Sequence, residues 1–374
     1  MRPFRFAVFA LAALVVLSLG FALIPAEEPE PREPSFSEQA RAAALGDALD
    51  LRAAGMHAAS SGAADPAALE PVVTLLTIQA RALLSPAPES APAAPTAAGT
   101  PSSPGTPQGA AELVQALAGS GTARVRDAET ADGGMARLLA GTGTAQLLAA
   151  GRLAAATGLP APQAIPGPNE PDSDQPGPDK AAGAQDAVPG PGSAFPCPSP
   201  SPSLAKEGAL ATAAGPQQAL AAAVAAEQQA VYGYQAALPR LAPAEAGPAS
   251  EFLGRHGHLA AAAEERLRRA CGTAAPQQPG YVLDPNFLAA PAAGLGRLEA
   301  ATLSAYGDVV AVTEGQDRKW ALSALQSAAA RAARWGADFG AVPGLSLDVE
   351  QLPSLPAGTG PSASTVPAPS SSGS

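Results

Sequence analysis

Apolar residues and alanines recur at helical spacing in eight segments of the chain. Several of these segments begin with a capping residue or a proline, or end at a glycine or a proline, as helices commonly do. The pattern predicts an all-α protein. The predicted helices cover residues 37–57, 65–84, 110–127, 134–157, 216–238, 244–270, 289–312 and 316–335.

Proline-rich stretches separate the predicted helices into regions. Residues 85–108 contain seven prolines and residues 159–202 contain 13, and neither stretch has apolar periodicity, so we predict long disordered linkers in both. The sequence thus predicts an alanine-rich helical region at 37–158, a helical bundle at 203–348 and a disordered tail at 349–374.

The last four predicted helices are of similar length, which favours a four-helix bundle. Short connections join the first to the second and the third to the fourth. The connection between the second and the third holds Pro276, Pro279 and Pro285 and is long enough to cross the bundle. One long crossover between two hairpins is the connectivity of ferritin-like bundles.

The first 26 residues predict an export or membrane segment. Arg2 and Arg5 precede an uncharged, apolar stretch at residues 6–24, and an acidic, proline-rich sequence follows it. This charge order predicts a single-pass membrane anchor with the bulk of the chain outside the cytoplasm. The stretch is just long enough to span a bilayer, and a signal segment that is cleaved to give a secreted protein is the alternative.

Composition narrows the classes of function. The formal net charge is −11, which argues against a nucleic-acid partner because such proteins need a positive field. Two cysteines and three histidines exclude a disulfide-dense scaffold and a zinc array. Outside the cytoplasm, the two cysteines, Cys197 and Cys271, are predicted to form a disulfide that pins the linker to the bundle.

Two helices of the predicted bundle share a pattern of glutamate and tyrosine. Glu227 lies seven residues before Tyr234, and Glu299 lies seven residues before Tyr306. This spacing places both members of each pair on one helix face. Either the two glutamates face each other across the core, where they need a proton, a basic side chain or a cation, or both point to solvent.

Short segments spread over this region carry a family resemblance. They are residues 226–234, the Pro-Gly-Tyr of residues 279–281, the Leu-Glu and Ala-Tyr that end at Glu299 and Tyr306, the Arg-Trp at 334–335 and the Pro-Gly-Leu of residues 343–345. Together they resemble the actinobacterial ferritin-like family called Domain of Unknown Function 4439, over about residues 217–345. The resemblance implies a closed four-helix bundle related to the di-iron carboxylate proteins, in a family of unknown activity.

The sequence departs from a complete di-iron site, which takes a Glu from each of two helices and a Glu-x-x-His from each of the other two. Glu227 and Glu299 are candidates for the first pair, but both Glu-x-x-His motifs are absent. His256 and His258 lie two residues apart on a helix, so they cannot both bind one ion in regular geometry. One of them is predicted at the surface and the other against a glutamate, with His258 as a metal ligand as the alternative.

The main functional hypothesis is a cell-envelope helical module, structural or interacting, that uses no cofactor. The alternative is a metal-binding oxidase or storage protein that holds iron or another divalent metal with Glu227, Glu299 and His258, so the question of enzymatic activity stays open. A small-molecule binder and a homodimer are further possibilities. In the first hypothesis, His258 and Arg318 are predicted to neutralise the two glutamates, and Gln replacements of either glutamate are predicted to be tolerated.

Overall fold

The computed structural model describes residues 33–63, 65–84, 109–162, 215–273 and 276–356, and within these ranges the chain is helical with no strand. The all-α prediction is confirmed. The helices are α1 (Phe36–Ser60), α2 (Pro66–Leu83), α3 (Ala110–Thr130), α4 (Gly133–Ala156), α5 (Pro216–Ala237), α6 (Pro243–Arg269), α7 (Pro285–Ala289), α8 (Pro291–Val312) and α9 (Gly315–Arg334), with a 3₁₀ turn at Leu238–Arg240.

The ends of the eight long helices fall within three residues of the predicted ends because local chemistry fixes them. Asp65 caps α2 by accepting a hydrogen bond from the backbone N–H of Ala67, with Pro66 in the first helical position. Asp132 caps α4 in the same way. The short helix α7 was not predicted. Asp284 caps it, and its Phe287 is buried against the bundle.

Helices α5, α6, α8 and α9 form the C-terminal bundle. The hairpins α5–α6 and α8–α9 pack on each other chiefly through α5 and α8, with a smaller contact between α6 and α9. The segment that joins α6 to α8 therefore connects two helices that are not major packing partners, as a crossover requires. Alanine and leucine dominate the core, and Tyr234, Phe287 and Trp335 form a separate cluster at one side.

Helices α1 to α4 form the N-terminal bundle, in which α1–α2 and α3–α4 are hairpins and α1 packs on α3. The closest approach is between α3 and α4. A Cβ atom on Gly121 would lie 2.9 Å from the carbonyl oxygen of Gly143. Glycine in a helix interior costs about 1 kcal/mol relative to alanine, so these glycines serve the close packing of two backbones.

The nine helices of the described ranges lie in one compact unit that begins at Phe36, and one cluster of buried apolar residues runs through both bundles. Helix α4 packs on α8 at the junction. A Cβ atom on Gly133 would lie 2.1 Å from the carbonyl oxygen of Ala311, which leaves no space for a larger residue there.

Some predicted segments lie wholly or mostly outside the described residues: the anchor at 1–26, the linker at 85–108 and nearly all of the linker at 159–202. None of the helices in the described ranges is long and apolar enough to cross a membrane. The first residues of the predicted disordered tail are ordered by contacts with α2. Residues 349–356 are described, and the Arg81 side chain donates hydrogen bonds to the carbonyl oxygens of Val349, Leu352 and Pro353.

Replacing Gly133 with alanine is expected to lower the free energy of unfolding by about 1–3 kcal/mol, because the added methyl group forces α4 away from α8. Gly134 is the matched control. A Cβ atom there meets nothing within 4 Å, so Gly134→Ala should leave stability unchanged or raise it by up to about 1 kcal/mol. Urea unfolding of the full chain measures both. Equal effects of the two variants would contradict the close approach at Gly133.

Candidate functional site

One polar cluster lies in the core of the C-terminal bundle, and all four of its long helices contribute to it. We call it the ionic cluster. Its members are Glu227 and Tyr234 of α5, His256 of α6, Glu299 and Tyr306 of α8, and Arg331 of α9, with Trp335 just after α9. Every member is buried.

His256 joins the two glutamates. Its Nδ1 lies 2.6 Å from Oε2 of Glu227, and its Nε2 lies 2.9 Å from Oε1 of Glu299. A carboxylate only accepts hydrogen bonds, so both ring nitrogens can donate only in the doubly protonated imidazolium. The geometry therefore places a positive charge between two negative ones.

Arg331 supplies the second positive charge. Its Nε lies 2.9 Å and 3.0 Å from the two carboxylate oxygens of Glu299, and its Nη1 donates to Ser327 Oγ at 2.9 Å. Its Nη2 is buried and has no hydrogen-bond partner in the described part of the chain. Two carboxylates and two cations give the cluster no net charge.

The glutamate and tyrosine pattern of the sequence becomes a reciprocal pair of hydrogen bonds. Tyr234 of α5 donates to Glu299 of α8 at 2.6 Å, and Tyr306 of α8 donates to Glu227 of α5 at 2.5 Å. Each tyrosine thus reaches the glutamate of the other helix, which is a pseudo-two-fold arrangement about His256. Trp335 breaks this symmetry because its Nε1 donates to the Tyr234 hydroxyl at 2.7 Å.

The surroundings shift the pKa values of the cluster. Burial alone would raise the pKa of Glu299, but the charges of Arg331 and His256 lower it to about 2. Burial alone would lower the pKa of His256, but Glu299 and Glu227 together raise it above its ordinary value. Burial and the nearby glutamates also raise the pKa values of Tyr234 and Tyr306, so both tyrosines keep their protons as donors.

The structure brings together only part of the predicted site. Glu227 and Glu299 are both fully buried and meet around His256, whereas His258 is exposed. Residues two apart on a helix point about 200° apart, so only one of the two histidines can face the core. Arg318 does not reach the glutamates, because it donates to the carbonyl oxygens of Thr313 and Ala131 instead.

Arg331 was missed by the sequence analysis, although one signal was present. It lies at helical spacing from Ala324 and Ala328, on the apolar face of α9. A charged residue on such a face needs a buried partner of opposite charge. The two mid-helix glutamates were the available partners.

Cys271 follows the end of α6 with a left-handed backbone (φ 59°) and is disulfide-bonded. No cysteine in the described ranges is free. Cys197, the other cysteine of the sequence, lies outside the described residues. Its pairing with Cys271 stays a prediction.

A family model matches part of the chain. The family model "Domain of unknown function (DUF4439)" matches residues 219–347, about a third of the chain, from within α5 to beyond α9. No curated protein and no solved structure matches the chain.

The ionic cluster does not fit a metal ion. Among the described residues, no group of three or more His, Cys, Asp or Glu side chains is placed to hold one. Both nitrogens of His256 point at carboxylate oxygens, and the guanidinium of Arg331 lies against Glu299. The unpartnered Nη2 of Arg331 is a donor, which a cation would repel.

Replacing Glu299 with Gln is expected to lower the free energy of unfolding by about 3–5 kcal/mol, because it leaves Arg331 as an uncompensated buried charge. This differs from the tolerance predicted from the sequence, where the partner of Glu299 was unknown. Glu227→Gln should cost less, since its partner His256 can lose a proton. Glu251→Gln is the control, because Glu251 pairs with Arg255 on an exposed face. If urea unfolding gives Glu299→Gln and the control the same change in the free energy of unfolding, the pairing of Glu299 with Arg331 is contradicted.

The pKa shifts predict a maximum of stability in mildly acidic solution. The stabilisation from His256, whose pKa is raised, is complete below its ordinary pKa of 6.5 and is lost as pH rises through the folded value. The stabilisation from Glu299 is present above its ordinary pKa of 4.5 and is lost as pH falls towards about 2. The contribution of these two groups to the free energy of unfolding should therefore be largest between pH 4.5 and pH 6.5.

The measurement is urea unfolding from about pH 3 to about pH 9. His256→Gln should remove most of the decline on the alkaline side. His258→Gln, its matched control two residues along the same helix, should keep it. An unchanged alkaline limb in His256→Gln would show that another group is responsible.

Proposed function

We propose that this protein is an extracytoplasmic, ferritin-like structural or interaction module in which protein charges replace a metal centre. The observation that carries the proposal is Arg331, whose Nε lies within 3.0 Å of both oxygens of Glu299. In this position a basic side chain neutralises the carboxylate charge, as a bound cation would between two carboxylates. It has no open coordination position and no redox chemistry of its own.

The ferritin-like relationship is supported by three features. The C-terminal bundle has two hairpins and a crossover, its two buried glutamates lie on the first and third helices, and the family model covers this segment. In a di-iron bundle the second and fourth helices each add a Glu-x-x-His. Here α6 and α9 contribute His256 and Arg331 to the same depth of the bundle instead.

The location is proposed from the N-terminal sequence. Residues 6–24 are apolar and follow two arginines, so they anchor the chain in the membrane or direct its export. The bundles then lie outside the cytoplasm, where Cys271 can keep its disulfide.

The metalloprotein hypothesis has one favourable observation, which is that Glu227 and Glu299 converge on a shared histidine. To bind a metal there, His256 would have to give up a ring proton and turn one nitrogen from a carboxylate to the metal, and Arg331 would have to withdraw. His258 cannot assist from its exposed position on α6. The same carboxylates are therefore better assigned to an ion-pair network.

Metal analysis of the full chain, purified without chelators, tests the proposal. We expect well below one equivalent of iron, manganese, zinc or copper per chain, and the same thermal midpoint with and without EDTA, because protein cations already neutralise the carboxylates. The variant Glu227→Gln and its exposed control Glu251→Gln should have the same low metal content.

One or more equivalents of metal in the wild-type protein would contradict the proposal if Glu227→Gln loses them and Glu251→Gln retains them. Metal that both variants retain would belong to another part of the chain.

A further inference from the structure

The two bundles are built on one plan. In each, a hairpin, a long connection and a second hairpin follow in order along the chain. In each, the first and third helices pack on each other, and the second and fourth helices make a smaller contact. The family model covers the C-terminal bundle alone, so the likeness of the two bundles lies in the topology.

Polar residues occupy corresponding positions along the helices of the two bundles, although the side chain of Asp47 is 47% exposed and that of Glu227 is fully buried. Asp47 and Glu227 each lie eleven residues after the first residue of their helices, α1 and α5. Asp47 accepts a hydrogen bond from Arg124 of α3 at 3.1 Å, as Glu227 accepts one from Tyr306 of α8. In both bundles a carboxylate of the first helix is thus held by a side chain of the third.

The second helices correspond as well. Gln79 lies thirteen residues after the first residue of α2, and His256 lies thirteen after the first residue of α6. Both side chains are fully buried. Gln79 Oε1 accepts a hydrogen bond from Gln146 of α4, so it also links its helix to a neighbour.

Gln79 differs from His256 because one of its contacts is with a residue outside its own bundle. Its Nε2 donates to the carbonyl oxygen of Ala341 at 2.9 Å, as well as to that of Thr142 at 3.2 Å. Ala341 belongs to residues 337–356, which follow α9 and which we call the strap. Where His256 closes a site inside the C-terminal bundle, Gln79 binds the strap of that bundle.

The strap lies closely against both bundles. Arg81, two residues after Gln79, donates to three of its carbonyl oxygens at 2.6–3.0 Å. A Cβ atom on Gly141 of α4 would lie 2.6 Å from the oxygen of Pro343, and one on Gly307 of α8 would lie 2.4 Å from that of Gly344. The strap can therefore pack this closely against α4 and α8 because both helices have a glycine at the contact.

A contact in the opposite direction completes the junction. Arg318, from the first turn of α9, is 4% exposed and donates to the carbonyl oxygens of Ala131 at 2.6 Å and Glu129 at 3.3 Å. These carbonyls lie at the end of α3, where helical partners are missing and a positive charge is favourable. Each bundle therefore satisfies buried polar groups of the other.

We infer that residues 36–156 are a degenerate copy of the bundle at residues 216–334, and that the polar centre of this copy has become a docking site for the strap. The occupant of this docking site is the C-terminal bundle of the same chain, held by Gln79, Arg81 and Arg318. The N-terminal bundle is thus a built-in partner. This inference does not rest on the proposed function, because it holds whether or not the ionic cluster binds metal.

The test is cleavage of the full chain at a protease site inserted between residues 175 and 176, which leaves Cys197 and Cys271 in one fragment. After cleavage, the two fragments should elute together in size-exclusion chromatography and keep the helical circular dichroism of the uncut protein. Gln79→Leu and Arg318→Gln should each weaken their association at least tenfold on dilution, since each leaves buried carbonyl groups without donors. Arg255→Gln, on the exposed face of α6, is the control and should not weaken it.

Fragments that separate while both remain helical would overturn the inference, because the two bundles would then be joined only by their linker. Unchanged association of both Gln79→Leu and Arg318→Gln would overturn the assigned docking contacts. The uncut variants, measured in parallel, separate loss of docking from loss of folding. If a variant does not fold uncut, the cleaved wild-type protein still decides whether docking exists.

Discussion

Two carboxylates buried at the same depth of one four-helix bundle are the constraint on which the C-terminal half depends. Removing Glu227 and Glu299 from water costs several kcal/mol each unless opposite charges accompany them. The charges come from His256 of α6 and Arg331 of α9, so one electrostatic requirement involves all four helices. Alanine is the commonest buried residue of this bundle and, being small, does little to fix the helices in register. The ionic cluster adds directional contacts that only one arrangement of the four helices satisfies.

Small residues are frequent in this protein, and they also allow the two bundles to pack closely at their junction. Gly133, Gly141 and Gly307 each face a backbone carbonyl at a distance that excludes any side chain. Main chains that approach so closely place carbonyl groups within reach of long side chains, and Gln79 and Arg81 then bind the strap through such groups. Composition and architecture are thus connected, because helices rich in alanine and glycine can pack backbone against backbone where larger residues would keep them apart.

The sequence predicts the helices well because their caps, prolines and apolar spacing are local features. It also predicts that Glu227 and Glu299 can face each other, since their spacing to Tyr234 and Tyr306 is a local pattern. It does not identify Arg331 as their partner, because an arginine in a helix is most often exposed and the one local signal, its spacing from Ala324 and Ala328, is weak in a helix rich in alanine. The contacts of Arg318 and Gln79 join residues roughly two hundred or more positions apart, and no periodicity reports such pairs.

The family match ends at residue 347, whereas the compact unit extends from α1 through the strap. The matched segment therefore contains the ionic cluster but lacks Gln79 and Arg81. Gln79 holds Ala341 near the end of that segment, and Arg81 holds residues that follow it. On the proposed interpretation, the polar centre of the C-terminal bundle joins its own four helices, and that of the N-terminal bundle joins the two bundles. The polar side chains at the centre of each bundle then bind groups of the same chain. A partner of such a module would be recognised by the outer surface of the intact unit.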